Sequence, residues 1–261
     1  MFEYMLDFFK SSAGVVSHVS QWLTTPPGNV VFPNPGYSKD HSSAKSISVF
    51  FIHGTADRAC GGKYLAKGIL SDAPDSVKEV QLLAFDHRLS GKGVVDFAEQ
   101  LIQKLEQSEA EQVVLIGHSR GGLIAAYAAQ EMARRKVKPE IVATVCICAP
   151  FQGSYLARKP LTFISRSVKD MHEGNAFLTL LCDDIVKNPA CRYQFITGTQ
   201  DYIVPKAGII PEYVTAHPEA AARINGHSHL SIMGSARCHA TIRQLLAELV
   251  VAEKSELIKT L

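Results

Sequence analysis

Apolar positions along this chain follow two rhythms. Short unbroken runs, "SISVFFIHG" (residues 46–54), "KEVQLLAF" (78–85), "EQVVLIG" (111–117), "EIVATVCICAP" (140–150) and "CRYQFITG" (191–198), are bounded by turn formers and charged residues. Such runs predict strands buried on both faces. "AAARING" (220–226) adds a shorter one. Between them, "VVDFAEQLIQKLEQ" (94–107), "RGGLIAAYAAQEMARR" (120–135) and "ARCHATIRQLLAELVVAEKSELIK" (236–259) carry apolar residues at helical spacing. The alternation predicts βα units, and so an α/β fold with a mostly parallel central sheet and helices on both faces.

Three segments break the rhythm. Residues 24–46 are rich in Pro, Gly, Ser and Asn and read as a loop. Residues 151–188 mix polar and apolar positions with weak strand signal, and read as an insertion packed over the carboxyl edge of the sheet. In residues 1–23, Glu3, Asp7 and Lys10 share one face of a helix, with Phe2, Met5, Leu6 and Phe9 around the rest. Such a helix either docks on the protein's own core or lies on a membrane surface. Its early acids and broken apolar runs are unlike a Sec signal or a membrane span. The domain reading is therefore an N-terminal helix and loop over 1–45, then one domain over 46–261 with a cap-like insertion around 151–190.

Composition narrows the function. A formal charge of +2 over 261 residues gives no argument for nucleic acid. The densest basic run, "ARRKVK" (133–138), falls where a helix should end, and reads as a solvated, dipole-complementing terminus. Six cysteines show no zinc spacing. Cys146 and Cys148 look like small residues of one strand, and Cys182 and Cys191 are a pair that nothing obliges to bond. Reduced thiols fit a cytoplasmic protein, with peripheral membrane attachment or export without a Sec signal as alternatives. No P-loop, dinucleotide fingerprint or metal spacing occurs, so no cofactor and no metal are expected.

The densest chemistry lies at Gly117-His118-Ser119-Arg120-Gly121, a G-x-S-x-G pattern with an apolar strand before it and a helix after it. In that context the serine sits on a strained strand-to-helix turn that lifts its Oγ above the sheet. Side chains two residues to either side would clash there. The N–H of Arg120, at the positive end of the helix, points where an oxyanion would develop. Ser119 is thus a candidate nucleophile.

With these residues the chain resembles the α/β-hydrolase superfamily, and within it the bacterial lipases and the related GPI inositol-deacylase-like serine hydrolases. "VFFIHGTAD" (49–57) is similar to their strand-then-His-Gly element, which implies Thr55 as the second oxyanion N–H donor, with Gly54 letting the backbone turn. "CAPFQGSYLA" (148–157) resembles their T-P-H-x-G-S stretch with Phe151 in place of the histidine. "KDMHEGNAFLTLL" (169–181) resembles another of their segments, departing from it at Glu173 and Asn175. "FDHRLSGKG" (85–93) resembles a segment bordering the site, and is read as structural support. The resemblance covers residues 46–249.

It implies the order nucleophile, acid, base. Asp201 follows a strand in "ITGTQDYIVP" and is the expected acid. Its rivals Asp183 and Asp184 have no strand immediately before them. For the base, His229 in "INGHSHLSIM" is chosen over His227, because an apolar stretch leading to the last helix follows it directly. His53 and His118 are read as supports of the oxyanion turn and the nucleophile, and His239 as structural. The expected activity is hydrolysis of a hydrophobic carboxylic ester through an acyl-enzyme on Ser119. An acyl-thioesterase or a non-catalytic lipid- or protein-binding module is the alternative. Phe151, Tyr155, Leu156, Leu161, Phe163, Ile164, Phe177 and Leu178 form either an acyl pocket or a plain packed cap.

Overall fold

A computed structural model describes residues 28–38, 45–55, 57–85, 91–154, 169–204 and 208–260, with Val16 and Ser20. The expected N-terminal helix apart from Val16 and Ser20, residues 86–90 of the supporting segment, and Tyr155, Leu156, Leu161, Phe163 and Ile164 lie outside the described residues.

The strands are β1 (Val30–Pro33), β2 (Ile47–Ile52), β3 (Val77–Leu83), β4 (Gln112–His118), β5 (Glu140–Ile147), β6 (Arg192–Gly198) and β7 (Ala221–Ile224). The helices are α1 (Lys63–Leu70), α2 (Val94–Glu106), α3 (Arg120–Arg135), α4 (Ala176–Lys187), α5 (Pro211–Ala216) and α6 (Ala236–Thr260). Among the described residues the strands form one sheet in the order β1-β3-β2-β4-β5-β6-β7. β1 pairs antiparallel with β3, and the other neighbours run parallel.

Every residue of β2 and β4 is buried, as a parallel strand covered on both faces requires. The period of two sends alternate side chains to opposite cores. Phe50, Ile52, Leu115 and Phe195 meet α2, α3 and α4 through Phe97, Leu101, Leu123 and Leu181. Val49, Phe51, Ile116 and Ile196 meet α1 and α6 through Leu65, Ile69, Ile242 and Leu246. Each such side chain, fully buried, contributes about 1.5–3 kcal/mol relative to exposure.

Two segments hold elements that the sequence reading did not assign. The loop expected over 24–46 contains β1, a short edge strand whose residues alternate between half-buried and exposed. Its Val-Val-Phe core was masked by flanking Pro, Gly and Asn, and pairing with β3 decides its conformation. Within the insertion, α4 is a helix capped by the Asn175 side chain, which accepts the Phe177 N–H at 2.8 Å. Cys148 lies one residue past β5, with φ of +50°. All six cysteines are free. The basic run behaves as expected at the end of α3: Arg134 and Arg135 pair with Glu131, Glu99 and Asp184 before the left-handed Lys136 stops the helix. Among the described residues no helix is long and apolar enough to cross a membrane.

Candidate active site

The carboxyl ends of β2, β4, β5 and β6 lie side by side, and the loops leaving them carry the predicted residues. Ser119 follows β4 directly with φ +56° and ψ −127° and precedes α3. A serine is rarely held at positive φ, because its Cβ crowds the backbone. Two bonds hold it there: its N–H donates to Ile147 O at 2.8 Å, and its carbonyl accepts from Gly122 N at 2.9 Å. The flanking glycines are required by space. A Cβ on Gly117 would lie 2.2 Å from Gly121 O, and one on Gly121 would lie 2.1 Å from Ile52 O. Gly54 meets the elbow from the β2 side, where a Cβ would touch that of Ser119 at 3.0 Å. The first turn of α3 thereby presses against the end of β2. That places Arg120, which carries one expected oxyanion N–H, and the exposed Thr55, which carries the other, on adjoining turns. His53 fixes its own turn by donating from Nδ1 to Gly54 O at 3.0 Å.

Asp201 and His229 come from the loops after β6 and β7. These loops are stitched together: Gln200 N donates to His227 O at 3.0 Å, Gly226 N donates to Thr199 Oγ1 at 2.9 Å, and a Cβ on Gly198 would strike His227 O at 2.3 Å. His229 Nδ1 donates to Asp201 Oδ2 at 2.8 Å, with both side chains buried. The other carboxylate oxygen accepts the N–H groups of Ile203 and Val204, each at 2.9 Å. Burial works to raise the Asp201 pKa. The bond to His229, that residue's charge and the Val204 N–H outweigh it, so the carboxyl sits below its ordinary value. Asp201 is therefore an ionised, doubly anchored partner for the imidazole.

His118 links the two halves. It precedes Ser119, its ring lies 4.9 Å from that of His229, and its Nε2 donates to the His229 carbonyl at 2.8 Å. Among the described residues the Ser119 hydroxyl makes no hydrogen bond to the His229 ring. His227 faces Ser231 Oγ at 3.3 Å. His239 is buried in α6 and donates to Met233 O at 2.9 Å. Asp183 and Asp184 lie on α4, where they pair with Lys187 and Arg134.

One neighbour was missed in the sequence. The Cys148 Sγ, a carboxylate oxygen of Asp201 and a ring nitrogen of His229 all lie within 4.8 Å of one another. Burial, then the charge of Asp201, pushes the thiol well above its ordinary pKa, so it stays protonated. The available signal was its place at the end of the strand beside the one that carries Ser119. These three residues are the group among those described that comes nearest to a metal cluster. However, the nitrogen–oxygen separation of 2.8 Å is that of a hydrogen bond. Two ligands of one zinc ion, each about 2.0 Å from it in a tetrahedral site, stand farther apart.

Of the expected acyl-pocket residues that are described, Phe151 and Leu178 are buried in the core, and Phe177 packs against Tyr127. A cavity of about 410 Å³ lies between α4 and the start of α5, lined by Phe151, Leu178, Val186 and Ile210 with polar neighbours Asn175 and Glu212. Ser119, Asp201 and His229 do not line it.

A family model described as a domain of unknown function (DUF7379) matches residues 29–180, a span that holds Thr55 and Ser119 and stops before Asp201. No curated protein matches the chain. Solved structures share its fold. A lipase of Bacillus licheniformis superposes with a TM-score of 0.55 at 18% identity, covering 85% of this chain and 99% of that one. A structure from a study of carboxylesterases of the thaumarchaeon Nitrososphaera gargenis gives 0.58 at 16%, covering 86% and 95%. A peroxisomal α/β-hydrolase of Saccharomyces cerevisiae gives 0.56 at 14%, covering 86% and 82%. The fold is that of the α/β-hydrolases.

Proposed function

Because the chain belongs to the family described as a domain of unknown function (DUF7379) and folds as an α/β-hydrolase, we propose that it is a serine hydrolase cleaving a hydrophobic carboxylic ester. One observation carries the reading. Ser119 is held at φ +56° on a strand-to-helix turn at the same sheet edge as an Asp201–His229 pair bonded at 2.8 Å. A serine at positive φ costs about 1–3 kcal/mol, and a nucleophile raised clear of the sheet is what that strain supplies.

In the proposed cycle His229 Nε2 takes the Ser119 proton as Oγ attacks the ester carbonyl. Asp201, bonded to Nδ1, holds the ring in the useful tautomer and offsets its charge. The N–H groups of Thr55 and Arg120 receive the tetrahedral oxyanion. The imidazolium then protonates the departing alcohol, and water, deprotonated by the same histidine, releases the acid from Ser119. His118 keeps the base loop against the elbow. The hydrocarbon character of the acyl group rests on the likeness to lipases, because Ser119, Asp201 and His229 do not line the cavity beside α4. Lipase is what the Bacillus relative is called.

The test is covalent labelling with a fluorophosphonate, followed by hydrolysis of nitrophenyl esters of graded chain length. Wild type is expected to label and to prefer medium or long chains, and Ser119→Ala to lose both properties. Folded wild type that fails to label would overturn the enzyme in favour of a binding module. A flat or short-chain profile would remove the hydrophobic acyl group, and preference for a thioester would replace the oxyester.

A further inference from the structure

Four buried side chains form a continuous column between the two backbone segments expected to bind the oxyanion. At one end His53 stands two residues before Thr55, and its ring meets the edge of Phe85 with centroids 5.6 Å apart. Phe85 meets Phe97 of α2 at 5.9 Å, nearly perpendicular. The guanidinium of Arg120 lies over the Phe97 ring, its Cζ 4.5 Å from the centroid. Arg120 is 1% exposed and is the largest fully buried side chain among the described residues. A guanidinium removed from water is held by groups that accept positive charge, and the negative face of an aromatic ring is one. Edge-to-face rings at these separations are likewise directional contacts, tolerant of little displacement.

Both ends of the column therefore belong to the expected oxyanion site, and its middle is Phe85, just after β3, and Phe97 of α2, neither of which has another part in the chemistry. α2 is itself pinned at that end: the Gly93 N–H donates to Asp96 and the Val94 N–H donates to Asp170, at 2.7 and 2.9 Å. We infer that Phe85 and Phe97 act as a strut that fixes the spacing of the Thr55 and Arg120 N–H groups, with Phe97 a positioning residue working through the Arg120 guanidinium. The inference rests on the hydrolase reading. Two backbone donors must stand where the oxygen of the tetrahedral intermediate will be, and they act only when held there beforehand. Glycine stands beside each donor, Gly54 before Thr55 and Gly121 after Arg120, so the neighbouring side chains supply little rigidity. The strut supplies it from below.

The experiment compares Phe97→Leu with Leu101→Ala, a fully buried position one turn along α2 that makes none of the column's ring or guanidinium contacts. Active sites in the full-length protein are counted by fluorophosphonate titration. Then kcat and KM for a nitrophenyl ester are measured, together with inhibition by a trifluoromethyl ketone, whose hemiketal oxygen occupies the oxyanion hole. Phe97→Leu is expected to lower kcat per titrated site on the order of tenfold and to weaken the ketone by the same factor, with KM within about twofold of wild type. Leu101→Ala is expected to lower the melting temperature while leaving both readouts in place. Phe97→Leu combined with Arg120→Met should cost no more than the larger single effect, since both remove the same joint. Should Phe97→Leu not fold, Phe85→Leu tests the other joint by the same readouts. Wild-type kcat and ketone affinity in Phe97→Leu, or equal losses in the two α2 variants, would refute the strut and leave the hydrolase standing. A wild type that neither titrates nor hydrolyses the ester refutes both.

Discussion

Ser119 shows how few residues settle a site. Its positive φ, the Ile147 carbonyl that takes its N–H, and the bare Cα atoms of Gly54, Gly117 and Gly121 are one arrangement. Alanine at Gly117 or Gly121 puts a methyl group into backbone, and at Gly54 it crowds the Ser119 side chain. Gly121→Ala is the sharpest case, because the new Cβ would lie 2.1 Å from the Ile52 carbonyl of a central strand that has no room to retreat. Overpacking of this kind costs about 1–3 kcal/mol, and the displaced turn carries the Arg120 N–H with it. Gly121→Ala is expected to lower the melting temperature by about 2–4 °C per kcal/mol lost and to abolish fluorophosphonate labelling; normal labelling would contradict it. The pattern was legible because glycine at these spacings is a steric statement that sequence shows directly. The thiol of Cys148 against Asp201 was not, since a cysteine in an apolar run looks the same whether or not a carboxylate from a distant loop reaches it.

Among the elements, α1 and α6 show packing that periodicity cannot predict. Gly68 sits inside α1, where glycine weakens a helix by about 1 kcal/mol relative to alanine. It is there because the His239 ring of α6 occupies its side-chain space: a Cβ would stand 1.9 Å from Nδ1. Alanine at 68 should therefore destabilise despite its better helix propensity, by about 1–3 kcal/mol through overpacking. Urea unfolding of Gly68→Ala measures this, and a gain in stability would show that propensity outweighs the contact. The same limit explains the two elements that the sequence hid. β1 has four residues among loop formers and takes its shape from β3, and α4 starts at an Asn175 cap inside a stretch of mixed polarity. Long, buried and strongly periodic elements such as β4, α2 and α3 were readable because their own side chains decide them.

For the whole molecule, two buried groups couple the fold to pH in the same direction. His239 is held neutral, its pKa lowered below 6.5 chiefly by burial. The unfolded chain takes up that proton more readily, so the stability linked to it is full above pH 6.5 and falls as pH drops towards the folded value. Asp201, lowered below 3.8, contributes stability that is full above that pH and is lost as pH falls through its folded value. Melting temperature is expected to decline on acidification in two stages, one starting near pH 6.5 and one below 3.8. His239→Gln, which keeps an amide donor for Met233 O, should remove the first stage. A first stage of undiminished size in that variant would assign it to another group.

The sequence by itself determined the α/β class, the order of the main strands and helices, and which serine stands in a turn that strains it. Those follow from period and steric volume, which are properties of neighbours along the chain. The tertiary structure decided which acid meets which histidine. Asp201 and His229 are 28 residues apart in the chain and bond only because β6 and β7 pair in parallel and their loops leave the same sheet edge. It also decided that His118 bonds the His229 carbonyl, that Gly68 makes room for His239, and that Phe85 and Phe97 bridge His53 and Arg120. Contacts between distant segments depend on strand order and register, and these are fixed by the packing of the whole sheet.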